Sequence, residues 1–135
     1  MQPRVHLVDQ TWIDAPPATV SAAVAEPANW PRWWPYLRLT VTRDRGVKGM
    51  QFAAGPAPAG GWPALAGTVE IWLEPFKDGV ILHHFLRLAP AAGGELSDRA
   101  ARRLTRQAGW HAKQVFWQLK DGLEVAAAAV AGPDA

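Results

Sequence analysis

The chain has 135 residues, 49% hydrophobic and 19% charged, with a net charge of +2. This describes one globular domain that buries about two-thirds of its unfolded surface, not a disordered chain. Cysteine is absent, which excludes a disulfide framework, a thiolate zinc site and a cysteine nucleophile. The small net charge gives no reason to expect a nucleic-acid partner.

The N-terminal stretch MQPRVHLVDQTW contains no apolar run of signal-peptide length. The alanine-rich run near Val125–Ala131 is too short to span a bilayer. A cytoplasmic protein without stable membrane insertion is therefore expected. Val5–Ile13 alternates and is rich in β-branched residues, which predicts a strand. Asp14-Ala15-Pro16-Pro17 breaks it and opens a short helix over Ala18–Ala25, with Val20 and Val24 on one face. In NWPRWWPYL, Asn29 is a suitable cap, Pro31 suits a first turn and Pro35 forbids continuation, so a single helical turn carries Trp30, Trp33 and Trp34. Such a turn cannot persist alone in water. Its rings are expected to dock it on the fold, with Trp30 and Trp33 buried, Trp34 the most exposed, and Trp33 the one to touch a ligand.

Leu37–Thr42 and Gly49–Ala54 read as strands around an Asp44-Arg45-Gly46 turn. GPAPAGG (Gly55–Gly61) is a flexible loop, expected to act as a lid with Phe52 and Trp62 at the mouth it covers. Leu65–Glu74 and Val80–Leu88 form a hairpin around Lys77-Asp78-Gly79. An even-numbered connection pairs Glu70 with Arg87, Glu74 with His83 and Trp72 with Phe85. It also gathers Val69, Ile71, Leu73, Leu82, His84, Leu86 and Leu88 on one face. A long helix runs from Ser97 or Asp98 to about Ala129, with residues 128–135 expected to fray.

On that helix Leu104, Ala108, His111, Ala112, Val115, Leu119 and Gly122 form one face, small enough in places to leave a cavity against the sheet or to allow close packing. The opposite face carries Arg99, Arg102, Arg106, Trp110, Lys113, Trp117 and Lys120: a solvated stripe whose best special use is self-association as a homodimer. Chemistry is sparse. There is no phosphate-cradling glycine motif and no metal-ligand spacing, and Ser21 and Ser97 lie in no nucleophile elbow. No metal or cofactor is expected. The candidates for acid–base catalysis are His84, His111, Asp9 and Glu70. Asp9 reads either as an exposed edge-strand charge or as an inward carboxylate beside Leu7 and Thr11.

These segments resemble the START-like superfamily, in its polyketide cyclase/dehydrase (SRPBCC) branch. The resemblance rests on Asp9–Pro17 (DQTWIDAPP) before a short helix, Trp30–Pro35 (WPRWWP), Asp44-Arg45-Gly46, Gly67–Glu74 (GTVEIWLE) and Trp117–Glu124 (WQLKDGLE). It implies an α+β helix-grip fold over residues 1–135: a curved antiparallel sheet of five to seven strands around one long C-terminal helix, with two short helices after the first strand. Only about five strands fit here. The family binds lipids, sterols, polyketides and other apolar molecules, and some members cyclise polyketides. It has no common catalytic set, so no catalytic role transfers by motif. The implied function is binding of a small hydrophobic ligand between sheet and helix. The expected lining is Phe52, Ile71, Leu73, His84 and Leu86 from the sheet, with Leu104, Ala108, His111, Val115 and Trp33. The alternatives are a cyclase- or dehydratase-type enzyme and a non-catalytic dimerising or stress-response module.

Overall fold

The computed structural model describes residues 4–57 and 62–131. Strand β1 (Val5–Ile13) leads into α1 (Pro17–Ala25), a 3-10 turn (Pro27–Asn29) and the four-residue α2 (Trp30–Trp33). Strands β2 (Leu37–Asp44), β3 (Gly49–Pro56), β4 (Leu65–Phe76) and β5 (Gly79–Pro90) follow, and α3 (Asp98–Ala131) closes the chain. The five strands make one antiparallel, curved sheet in the order β1-β5-β4-β3-β2. The α+β helix-grip architecture expected from the sequence is therefore present, with five strands among the described residues.

One alternation runs through the sheet. Val5, Thr11 and Ile13 of β1, Val69, Ile71 and Leu73 of β4, and Leu82, His84, Leu86 and Leu88 of β5 are buried. Their sequence neighbours point to the outer face, as the period of two requires. The face sorting expected for the hairpin is found, but the register is displaced by two residues. Thr68 lies across from Arg87, Glu70 from Phe85 and Trp72 from His83. The connection is Lys77-Asp78, with Lys77 at φ 55°. Gly79 is not free to serve as the turn residue because it belongs to the strand: a Cβ there would meet the Ile13 carbonyl oxygen at 2.2 Å. That close approach is open only to glycine. The anticipated Glu74–His83 contact still forms, diagonally, at 3.1 Å. Trp72 stacks on His83 with ring centroids 4.4 Å apart.

Helix α3 starts where Ser97 caps it, the hydroxyl accepting the Ala100 N–H at 3.1 Å. It lies along β1 and buries Ala101, Leu104, Ala108, Ala112 and Phe116. Two expectations for this face are corrected. Gly122 is exposed, and Phe116 takes a central place. The small residues bring the helix close to the sheet, while aromatic rings fill the space at the centre. Trp33, Trp34, Phe52 and Phe116 are all buried there, with Trp33 and Phe116 centroids 5.4 Å apart.

Trp34, expected to be the most exposed of its group, is only 1% exposed, while Trp30 is half-buried. The helix stops at Trp33. Trp34 leaves helical geometry at φ −131°, ψ 70°, which turns its ring inward instead of along the α2 surface. Asn29 also does not cap α2; its amide donates to the Ala23 carbonyl at 2.8 Å. Phe52 is buried against Trp30, with centroids 4.8 Å apart, and does not form a mouth. Trp62 stacks on Tyr36 at 4.0 Å. Of the proposed lid, residues 58–61 lie outside the described residues, as do 132–135 of the tail.

Candidate functional site

The chemistry-bearing residues of the interior come from β1 and its neighbour β5. Leu7, Asp9 and Thr11 share the inward face of β1, and Asp9 pairs directly across from His84. Helix α3 covers this stretch at Gly109, where a Cβ would stand 3.6 Å from Leu7 Cδ1. One turn further, Lys113 Nζ reaches Asp9 Oδ1 at 2.7 Å. Asp9 is thus inward, its side chain 14% exposed, and not a free edge charge. Lys113, placed on the outward stripe by angular position, turns its ammonium back to the sheet. Lys120 does likewise, donating to the Trp12 carbonyl at 2.9 Å.

His84 is 1% exposed and enclosed by Trp34 and Phe116, with ring centroids at 5.7 and 5.1 Å. Burial pushes its pKa down to about 4, against a smaller upward pull from the Asp9 carboxylate, so the ring is neutral at pH 7. The Trp34 indole N–H donates to Nε2 at 3.0 Å. Indole can only donate, so Nε2 accepts and the imidazole proton resides on Nδ1. That proton finds no acceptor among the described residues, and Asp9 Oδ2 and Thr11 Oγ1 are likewise buried without partners there. Three orphaned polar atoms at adjoining inward positions are unusual, since each costs about 1–3 kcal/mol when left unpaired. They amount to one donor, one acceptor and one hydroxyl able to do either.

A cleft of about 350 Å³ opens at Asp9, between β1 and α3; Thr11 and His84 do not line it. Leu7, Gly109 and Trp110 give it apolar walls, and Thr105, Asp9 and Lys113 contribute polar ones. The size is at the lower end for a small-molecule site.

Of the residues expected from sequence, Asp9 and His84 are brought together. His111 is not: it is half-buried at the helix edge and donates through Nε2 to the Arg32 carbonyl at 2.9 Å. Glu70 sits on the outer face, 3.5 Å from the Arg45 guanidinium. Ile71, Leu73, Leu86, Leu104 and Ala108 belong to the packed core behind the cleft, as do Phe52 and Trp33. Val115 is half-buried and shares a separate depression of about 340 Å³ with Trp33 and Leu119, between α2 and α3. Among the described residues no group of three or more His, Asp or Glu side chains could hold a metal ion. No helix there is long and apolar enough to cross a membrane.

Sequence reasoning missed Thr11, Trp34, Gly109, Trp110 and Lys113 as site residues. Thr11 carried a signal, standing two positions from Asp9 on the same strand face. Lys113 is four residues beyond Gly109 on the edge that meets β1, which becomes visible only once that strand is known to lie beside the helix.

Comparison with protein-family models and with curated proteins finds no match. Solved structures do match in fold. The chain is similar to DR_A0006 from Deinococcus radiodurans, with 13% identity over 90% of this chain and 98% of that one and a TM-score of 0.58. It is also similar to the Aha1 dimer protein from Colwellia psychrerythraea, at 17% identity, 90% and 97% coverage and a TM-score of 0.55. The di-domain ARO/CYC protein StfQ from the steffimycin biosynthetic pathway matches at 15% identity and a TM-score of 0.52, over 91% of this chain and 51% of that one. These likenesses show a shared fold, the helix-grip fold.

Proposed function

We propose that the protein binds a small, mainly apolar molecule in the cleft between β1 and α3, oriented by the inward carboxylate of Asp9, behind which Thr11 and His84 lie buried. The carrying observation is the meeting, at Asp9, of an apolar cleft with a buried carboxylate oxygen that has no partner among the described residues. Apolar burial, worth roughly 25 cal/mol per Å², supplies the affinity, and the polar atoms supply selection for a ligand bearing a hydroxyl or carbonyl. An acid–base enzyme has less support. The basic nitrogen of His84 is occupied by the Trp34 N–H, and His111 and Glu70 lie elsewhere. The stripe of Trp110 and Trp117, 69% and 56% exposed, remains available to a second copy. Light scattering on Trp110→Ala with Trp117→Ala tests that pairing; an unchanged mass removes it.

The test of the binding reading is calorimetric titration with decanol of the natural chain and of Gly109→Leu. The added Cβ fits beside Leu7, and the remaining carbons fill the cleft. The natural chain should bind and melt higher with decanol, while the variant stays folded and does not respond. Equal binding by both proteins would remove the cleft from consideration.

A further inference from the structure

A second depression, of about 490 Å³, adjoins the cleft. It is lined by Arg4, Asp98, Ala101, Arg102, Thr105 and Arg106, and it shares Thr105 and Arg106 with the cleft itself. The fold assembles it simply. Arg4 immediately precedes β1, and the others occupy one side of the first turns of α3 at spacings of three and four. Three exposed arginines thus share a single hollow with one acidic residue, Asp98. None of the three has an ion-pair partner among the described residues. The amino-terminal end of α3 adds partial positive charge from the same side. Like charges held together at the edge of an apolar cleft are an unfavourable arrangement that an anion relieves, and the planar guanidinium fork matches phosphate or carboxylate oxygens.

We propose that the cleft's ligand is an amphiphile: an apolar body lying along Leu7, Gly109 and Trp110, and an anionic head, phosphate or carboxylate, held by Arg4, Arg102 and Arg106 with the Thr105 hydroxyl. This rests on the binding reading above and names the class of molecule that reading leaves open. It also assigns a use to the basic residues at the start of α3, which a purely apolar ligand would leave without one.

The experiment compares decyl phosphate, decanoate, decanol and inorganic phosphate by calorimetry at low salt, below the micelle concentration. Decyl phosphate or decanoate should bind at least about tenfold tighter than decanol, a difference of about 1.4 kcal/mol, and that advantage should shrink as salt rises. Inorganic phosphate alone should bind far more weakly than decyl phosphate. Arg4→Gln with Arg102→Gln, at exposed positions outside the cleft, should remove most of the anion's advantage and leave decanol binding unchanged. Equal affinities for decanol and both anions would overturn the head-group assignment while the cleft stands. Inorganic phosphate binding as tightly as decyl phosphate would reduce the hollow to a plain anion site and overturn the amphiphile. Loss of decanol binding in the double variant would overturn the division of labour between hollow and cleft. Failure of both decanol and decyl phosphate to bind the natural chain would end the cleft reading and this one with it.

Discussion

Acidification tests the buried imidazole directly. His84 has a pKa of about 4 in the folded protein, and an unfolded histidine titrates near 6.5. The neutral ring is the form the fold accepts, so between these values the unfolded chain binds the extra proton. Stability from this group is complete above pH 6.5 and falls as pH drops toward 4. A displacement of about 2.5 units corresponds to about 3 kcal/mol in the limit, of which about 2 kcal/mol is lost by pH 5. The ring is fully buried, so solvent screening does not discount the figure. Urea unfolding of the natural chain and of His84→Gln from pH 7.5 to 4 isolates the contribution, because every other group is common to both proteins. The glutamine carbonyl can still accept the Trp34 N–H, so the variant should be folded, less stable at pH 7 and flatter in its pH dependence. Parallel curves for the two proteins would refute the reasoning: His84 would then not be held neutral by burial.

Three further outcomes are expected. Phe116→Ala removes the ring that closes the aromatic cluster and should cost about 3–5 kcal/mol in denaturant unfolding; a loss below 1 kcal/mol would mean the centre is not packed as described. Lys113→Met leaves the Asp9 carboxylate without its cation and should cost about 1–2 kcal/mol at pH 7, the figure being reduced because the lysine is partly solvated. Asp9→Asn combined with Lys113→Met should recover part of that loss, and an additive double variant would count against the pair. Gly79→Ala drives a Cβ into the Ile13 carbonyl and should lower the melting temperature by several degrees, while Gly46→Ala, whose Cβ meets nothing, is strained only by its φ of 60° and should cost less.

The sheet was legible because its signals are local. Alternation in Ile71, Leu73, Leu82, His84 and Leu86 specifies which face is buried whatever the register, so the faces were readable even though the pairing was displaced by two. The register itself depended on Gly79, whose side-chain-free position is used by Ile13 of β1, 66 residues away in sequence. The basic stripe of α3 was readable by angle, yet Lys113 and Lys120 have stems long enough to reach β1. Trp34 was misplaced because a helical wheel assumes the helix continues. The chain leaves the helix one residue earlier, and the partner of the indole N–H is fifty positions on.

That misplacement bears on where a ligand can sit. A small-residue helix face over a curved sheet suggests a central hollow, and Ala101, Ala108 and Ala112 do form such a face. Yet Trp34 and Phe116, with Trp33 and Phe52, occupy the middle, and the Trp34 N–H saturates the one nitrogen of His84 that could have accepted a proton from a guest. With the centre filled by the chain's own rings, the opening that reaches Asp9 lies to the side, where β1 is an edge strand and Gly109 leaves α3 without a side chain above Leu7. Asp9 stands at that boundary, one oxygen tied to Lys113 and the other turned in without a partner among the described residues. In the binding reading proposed above, the tryptophans therefore shape the site by exclusion: by filling the core, they leave the β1–α3 seam and the arginines beside it as the place of recognition.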